Sequence, residues 1–186
     1  MLKRYDTAGA LAGERPLGNS SAFIQQLKNK VSLEPFSIVA SPFFDALIGK
    51  AVSHVWHGHG SAIFLEFGKL TPGARTGKTP GQPVGELSLM IEWSWRIERP
   101  KSILGGSWTA EGRWPRMFDE LKGATVSEVQ LYGQLPEICV SLSNGFRVAS
   151  FMTAQGQPAW ALISRQPKIG NLCVKRGRLY AEPTNI

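Results

Sequence analysis

The chain has 186 residues, of which 42% are hydrophobic and 19% are charged, and its formal net charge is +7. This length suits one domain, and the apolar content excludes a wholly disordered chain. The sequence has no apolar run of about 18 residues and no secretory pattern at its start, so it predicts a cytoplasmic protein that does not span a membrane. Cys139 and Cys173 lack CxxC spacing and are expected to be reduced core thiols.

The first predicted element is a helix within residues 20–40, where "SSAFIQQLKNKV" places its apolar residues on one side. The next part of the chain contains an internal repeat. The segment "FDALIGKAVSHV" (44–55) matches "FDELKGATVSEV" (118–129) at seven positions. Both copies continue into a second apolar segment, so each predicts a short helix that ends at a glycine, a strand, a turn and a second strand.

The copies differ after the second strand. In the first copy, residues 68–85 are rich in Gly, Pro, Thr and Lys and predict a mobile loop. In the second, Ser143-Asn144-Gly145 predicts a tight three-residue turn that pairs Val140 with Val148. The segment "ELSLMIEWSWRIE" then predicts one long strand, with Trp93 and Trp95 on its core face.

Two further strands are predicted at "AWALIS" (159–164) and around a turn at Arg176-Gly177. The elements together predict an α+β domain, mostly antiparallel sheet, built from two pseudo-repeated helix-plus-β-hairpin units with an additional N-terminal helix. The expected division of this single domain is a flexible segment (1–19), the N-terminal helix and connection (20–40), a first repeat unit (41–113) and a second repeat unit (114–186).

All three histidines lie in "SHVWHGHGS", residues 53–61. Aligning the copies places His54 opposite Glu128, and the second copy has no histidine. His57 and His59 could share one face of a strand, but a zinc site needs three or four converging ligands. We therefore predict turn residues or a contact with a partner at His57 and His59, and no metal and no cofactor.

Carboxylates and aromatic residues give no clear catalytic set. Glu66, Glu92 and Glu98 are predicted on the solvated outer faces of strands, although acid/base work by Glu92 and Glu98 stays an alternative. The chain has no GxSxG motif, and we assign no catalytic residue. The tryptophans of the long strand could stack on bases, but they share the apolar stripe of a core strand.

Basic residues concentrate in two stretches. Residues 68–85 sum to +3 and residues 147–186 to +5, counted from the side chains in each. Local excess charge of this kind attracts acidic partners or phosphate backbones. The predicted partner-binding residues are His57, His59, Lys69, Arg75, Lys78, Lys175, Arg176 and Arg178.

The segments "GSAIFLEFG", "WRI", "LKGATVSEV" and "ICVSLSNGFRV" together resemble a family of small bacterial proteins of unassigned activity, over about residues 44–182. The resemblance implies no catalytic residues. Similar two-copy β proteins occur among the immunity proteins of bacterial toxins, which is an analogy of fold alone. The basic segment 68–85 is longer here than in that family, so a shared partner is not implied.

The sequence thus favours a non-catalytic protein that binds a protein partner, with a toxin-neutralising immunity protein as one form of that role. A nucleic-acid-binding module that uses the basic residues is the alternative. A hydrolase of unknown type is the third hypothesis.

Overall fold

The computed structural model describes residues 38–154 and 158–182. The predicted flexible segment 1–19 and the predicted helix at "SSAFIQQLKNKV" (20–31) lie outside them, and only residues 38–40 of the predicted connection are described. Helix α1 covers residues 38–47, and a short 3-10 turn (Glu111–Arg113) leads into helix α2 (Trp114–Asp119). The strands are β1 (Val52–His57), β2 (Ile63–Phe67), β3 (Thr71–Thr76), β4 (Thr79–Val84), β5 (Leu87–Ile91), β6 (Trp95–Arg99), β7 (Ser102–Gly106), β8 (Val126–Tyr132), β9 (Glu137–Leu142), β10 (Arg147–Ser150), β11 (Trp160–Ser164), β12 (Asn171–Lys175) and β13 (Arg178–Glu182).

The strands form three antiparallel sheets. Sheet I has the order β1-β2-β5-β11-β12-β13, sheet II has the order β7-β6-β10-β9-β8, and β3 and β4 form a separate hairpin. Buried side chains of sheets I and II and of both helices belong to one hydrophobic cluster. In the described residues, no helix has the length and apolarity that a membrane span requires.

The predicted α+β class is wrong, because the fold is predominantly β. Strands make up 50% of the structure and helices only 13%. Each repeat copy contributes only a short helix. The segment predicted as a loop at 68–85 is itself a β-hairpin, and this adds strand where none was expected.

That hairpin depends on a two-residue turn at Gly77-Lys78. Gly77 has a φ of +62°, which a type II′ turn needs at its first central position, and this turn matches the twist of paired strands. Pro72, Pro80 and Pro83 suggested a loop, but a two-stranded ribbon tolerates proline at positions that donate no ladder bond.

Both repeat copies contain the helix, strand, turn and strand that were expected of them, and their first strands meet. The amide of Gly49 donates to the carbonyl of Val126 at 2.8 Å, and the amide of Gly123 donates to Val52 at 2.8 Å. The two hydrogen bonds are equivalent, because Gly49 and Val52 of the first copy correspond to Gly123 and Val126 of the second. Gly49 and Gly123 have φ of +78° and +82°, conformations that favour glycine at a helix end.

The two copies exchange strands after this point. The chain leaves sheet I after β5 and enters sheet II as β6, and it leaves sheet II after β10 and enters sheet I as β11. The predicted long strand is therefore two strands, broken at residues 92–94. Trp93 lies at the break and is half exposed, which corrects its predicted place in the core.

Equivalent tryptophans anchor the exchanged strands. Trp95 begins β6 and its indole N–H donates to the carbonyl of Ser61 at 2.6 Å, whereas Trp160 begins β11 and donates to Pro136 at 2.7 Å. Ser61 and Pro136 hold matching places in the turns that precede the second strand of each copy. Each ring is buried and ties a strand of one sheet to a turn of the other.

The later hairpins confirm their predicted turns. Val140 pairs with Val148, and Gly145 has a φ of +82° in the turn between β9 and β10. Arg176 and Gly177 both have positive φ, as a type I′ turn between β12 and β13 requires.

Cys139 and Cys173 are buried and free, on β9 of sheet II and β12 of sheet I. Burial raises the pKa of both thiols. Since the thiolate is the reactive form, we expect negligible labelling of the folded protein by a thiol reagent and labelling of both cysteines in denaturant. Absorbance and mass spectrometry measure the labelling. Rapid labelling of either cysteine before unfolding would contradict this packing.

Candidate functional site

The predicted partner-binding residues do not come together. His57 ends β1 at one edge of sheet I, and His59 lies in the turn after that strand. The β12–β13 hairpin is at the other edge, about 20 Å away at the usual strand spacing. It carries Lys175, Arg176 and Arg178, and Lys175 forms an ion pair with Glu182 at 3.1 Å.

The basic residues of segment 68–85 are exposed on the β3–β4 hairpin. Lys69 precedes β3, Arg75 lies within it and Lys78 is in the turn. Among the described residues, they line none of the concavities discussed below. The predicted basic residues therefore lie on two different hairpins, β3–β4 and β12–β13, and do not form one site.

The structure groups His57 with His54, and not with His59 as predicted. His54 and His57, both on β1, line one groove against α2. His54 Nε2 lies 3.1 Å from Gln82 Oε1, and the His57 and Trp114 rings make a T-shaped contact with their centroids 5.6 Å apart. The groove has a volume of about 330 Å³. No group of three or more His, Cys, Asp and Glu side chains among the described residues is arranged to hold a metal ion.

Glu66 is buried, which corrects its predicted solvated position. Its carboxylate accepts hydrogen bonds from the Gly85 amide at 2.8 Å, the Trp56 indole N–H at 3.0 Å and the Ser88 hydroxyl. Arg165 Nη1 lies 3.9 Å away. These donors occupy the carboxylate and leave it no access to a substrate, so we interpret the cluster as structural.

Two large exposed apolar side chains lie on and just after strand β7, at the edge of sheet II. Trp108, in the turn after β7, is 95% exposed, and Ile103 on β7 is 63% exposed. Single exposed apolar residues are common, whereas contiguous exposed apolar surface marks interaction sites, and Ile103 and Trp108 line the same concavity.

The turn that carries Trp108 is held firmly. The Thr109 amide donates to the Gly106 carbonyl at 2.9 Å, and the Gly106 amide donates to Thr109 Oγ1 at 2.9 Å. Gly106 lies so close to β6 that a Cβ atom there would meet the Trp95 carbonyl oxygen at 2.4 Å. Trp108 is therefore presented by a pre-organised backbone, which lowers the entropy lost on binding.

On one side of Ile103 is an aromatic concavity of about 420 Å³, which Trp108, Arg96 and Phe151 also line. The Arg96 guanidinium lies over the Phe151 ring, 4.3 Å from its centroid. Arg96 alternates along β6 with the buried Trp95, so this concavity is on the outer face of sheet II.

On the other side of Ile103 is a second concavity of about 420 Å³, between β7 and α2. We call it the arginine groove. Glu120 is the one acidic residue among its lining residues, and Arg99 Nη2 lies 3.5 Å from Glu120 Oε1. The groove is lined by Arg99, Leu104, Gly112, Arg113, Arg116, Met117 and Glu120, besides Ile103.

The two concavities and the residues between them form one continuous surface, the Trp108 surface. Its members are Trp108, Ile103, Arg96 and Phe151 together with the residues of the arginine groove. The predicted binding residues include none of its members, because sequence reasoning weighed Trp108 only as a residue beside a turn or as a base-stacking aromatic and favoured the core for it. The available signal was a tryptophan directly after "GGS", where a turn would project it.

Comparison with protein-family models, with curated proteins and with solved structures found no match. The resemblance drawn from the sequence therefore stays a prediction. The case for a function depends on the geometry of the Trp108 surface.

Proposed function

We propose that this protein is a non-catalytic, cytoplasmic binding protein that holds a protein partner on the Trp108 surface. The observation that carries the proposal is the 95% exposure of Trp108 on a hydrogen-bonded turn. Tryptophan and arginine dominate the binding energy of protein interfaces, and this surface combines them around the aliphatic Ile103. An immunity protein that covers a toxin's functional site is one form of this role.

Single-stranded nucleic acid is the second candidate, because an exposed tryptophan near arginines could stack on a base. The apolar side chains of this surface favour a protein instead, because Ile103 is 63% exposed beside Trp108 and Leu104 lines the arginine groove.

The test compares three immobilised forms of the full chain in a lysate of cells that produce it: wild type, Trp108→Ala and Tyr180→Ala. Tyr180 is an exposed aromatic residue on β13, so its variant is a matched control. We expect a protein that wild type and Tyr180→Ala retain and Trp108→Ala loses. With that protein purified, calorimetry should give an affinity about 30-fold weaker for Trp108→Ala.

Equal binding of the purified partner by Trp108→Ala and wild type would contradict the proposed surface. Submicromolar binding of an arbitrary single-stranded RNA near 0.15 M salt, lost in Trp108→Ala, would favour nucleic acid instead. Thermal melts should show that both variants fold, since exposed substitutions change stability by about 0.5 kcal/mol or less.

A further inference from the structure

We infer that the arginine groove recognises an acidic segment of the protein partner, through carboxylates that pair with Arg99, Arg113 and Arg116. This inference rests on the proposed function, because it names the chemistry of the partner that the Trp108 surface binds. Trp108 and Ile103 would take apolar side chains of the partner, and the groove would take its acidic ones.

The first argument is the convergence of charge from two elements. Arg99 ends β6, whereas Arg113 and Arg116 are three residues apart where the 3-10 turn continues into α2, so their side chains lie on neighbouring positions of one helical face. All three are exposed. In the described part of the chain, Arg113 and Arg116 form no ion pair. Arg99 has one, with Glu120 at 3.5 Å, and its guanidinium also lies 5.9 Å from the centroid of the Phe146 ring.

The second argument is the setting of these guanidinium groups. Leu104 and Met117 line the same groove, so a segment bound there would displace water from around the arginines. Ion pairs strengthen as the local dielectric falls, and a guanidinium can bind a carboxylate through two parallel hydrogen bonds. An acidic side chain would therefore gain more here than on an open basic surface.

The third argument is a contrast with the other basic residues. Lys69 and Lys78 are exposed on the β3–β4 hairpin and line none of the concavities described above. A partner attracted by net charge alone would not distinguish them from Arg113 and Arg116. A partner that binds in the groove would depend on Arg113 and Arg116 and not on Lys69 and Lys78.

The probe is a fluorescein-labelled hexaglutamate peptide, titrated at low ionic strength with fluorescence anisotropy as the readout. Three forms of the full chain are compared: wild type, Arg113→Ala/Arg116→Ala and Lys69→Ala/Lys78→Ala. The last two lose the same charge. We expect Arg113→Ala/Arg116→Ala to bind the peptide about tenfold more weakly and Lys69→Ala/Lys78→Ala to bind nearly as wild type does.

Three results would overturn the inference: no binding of hexaglutamate to wild type, equal losses in the two double variants, or tighter binding of a hexanucleotide RNA with the same loss in Arg113→Ala/Arg116→Ala. Tyr180→Ala, which replaces an exposed aromatic residue outside the Trp108 surface, should bind hexaglutamate as wild type does. Hexaglutamate has no apolar side chain to contact Trp108, so its failure to bind would leave the partner-retention result of the proposed function standing, and the reverse also holds.

Discussion

Replacement of Trp160 by alanine is expected to lower the free energy of unfolding by about 3–5 kcal/mol, as removal of a fully buried tryptophan ring typically does. Trp160 has no exposed surface, and its indole N–H is bonded to the Pro136 carbonyl. The ring also anchors β11, the strand that crosses from the second repeat copy into sheet I. The midpoint and slope of denaturant unfolding, followed by circular dichroism, measure this change.

Two comparisons serve as controls for that experiment. Trp108→Ala removes the same ring from an exposed site and should change stability by about 0.5 kcal/mol or less. Trp114→Phe should lower the free energy of unfolding less than Trp160→Phe does, because the buried Trp114 indole N–H has no hydrogen-bond partner in the described residues. Similar losses for Trp160→Ala and Trp108→Ala would contradict the anchoring role.

Glu66→Ala is expected to lower the free energy of unfolding by about 3 kcal/mol or more, because it leaves buried donors without an acceptor. The Gly85 amide, the Trp56 indole and the Ser88 hydroxyl would each lose their bond to the carboxylate. Glu66→Gln keeps the size of the side chain, but its amide group would face one of these donors. The stability of Glu66→Gln, measured by thermal and denaturant unfolding, should therefore lie between those of wild type and Glu66→Ala.

Glu128→Ala is the matched control for Glu66, because Glu128 is a carboxylate exposed on strand β8. Its removal should change the unfolding midpoint very little. If Glu66→Ala were no more destabilising than Glu128→Ala, the interpretation of Glu66 as a structural centre would be wrong.

The local parts of the fold could be predicted from the sequence because their signals are local. Gly145 and the Arg176-Gly177 pair identify turns through the backbone conformations that they adopt, and the identities between the copies reveal the repeat. The strand exchange could not be predicted in this way. The segment around Trp93 alternates like one continuous strand, and only its pairing with distant strands shows where it leaves one sheet for the other.

The predicted binding residues show a different limit. Counting charge along the chain selects stretches such as 68–85, whereas a site depends on which side chains meet in space. Arg99 comes from a strand, and Arg113 and Arg116 come from the turn and helix after β7, so no single segment displays the groove. Trp108 gave a local signal, but its exposure depends on how β6 and β7 pair.

Site-specific photo-cross-linking tests the central claim most directly, namely that a protein partner binds at the Trp108 surface. The photoreactive residue p-benzoylphenylalanine would replace Trp108 in one variant and Tyr180 in another, each mixed with the partner isolated by the retention experiment. We expect a cross-linked product of the two proteins from position 108 and none from position 180. Cross-linking from position 180 with none from position 108 would contradict the proposed surface.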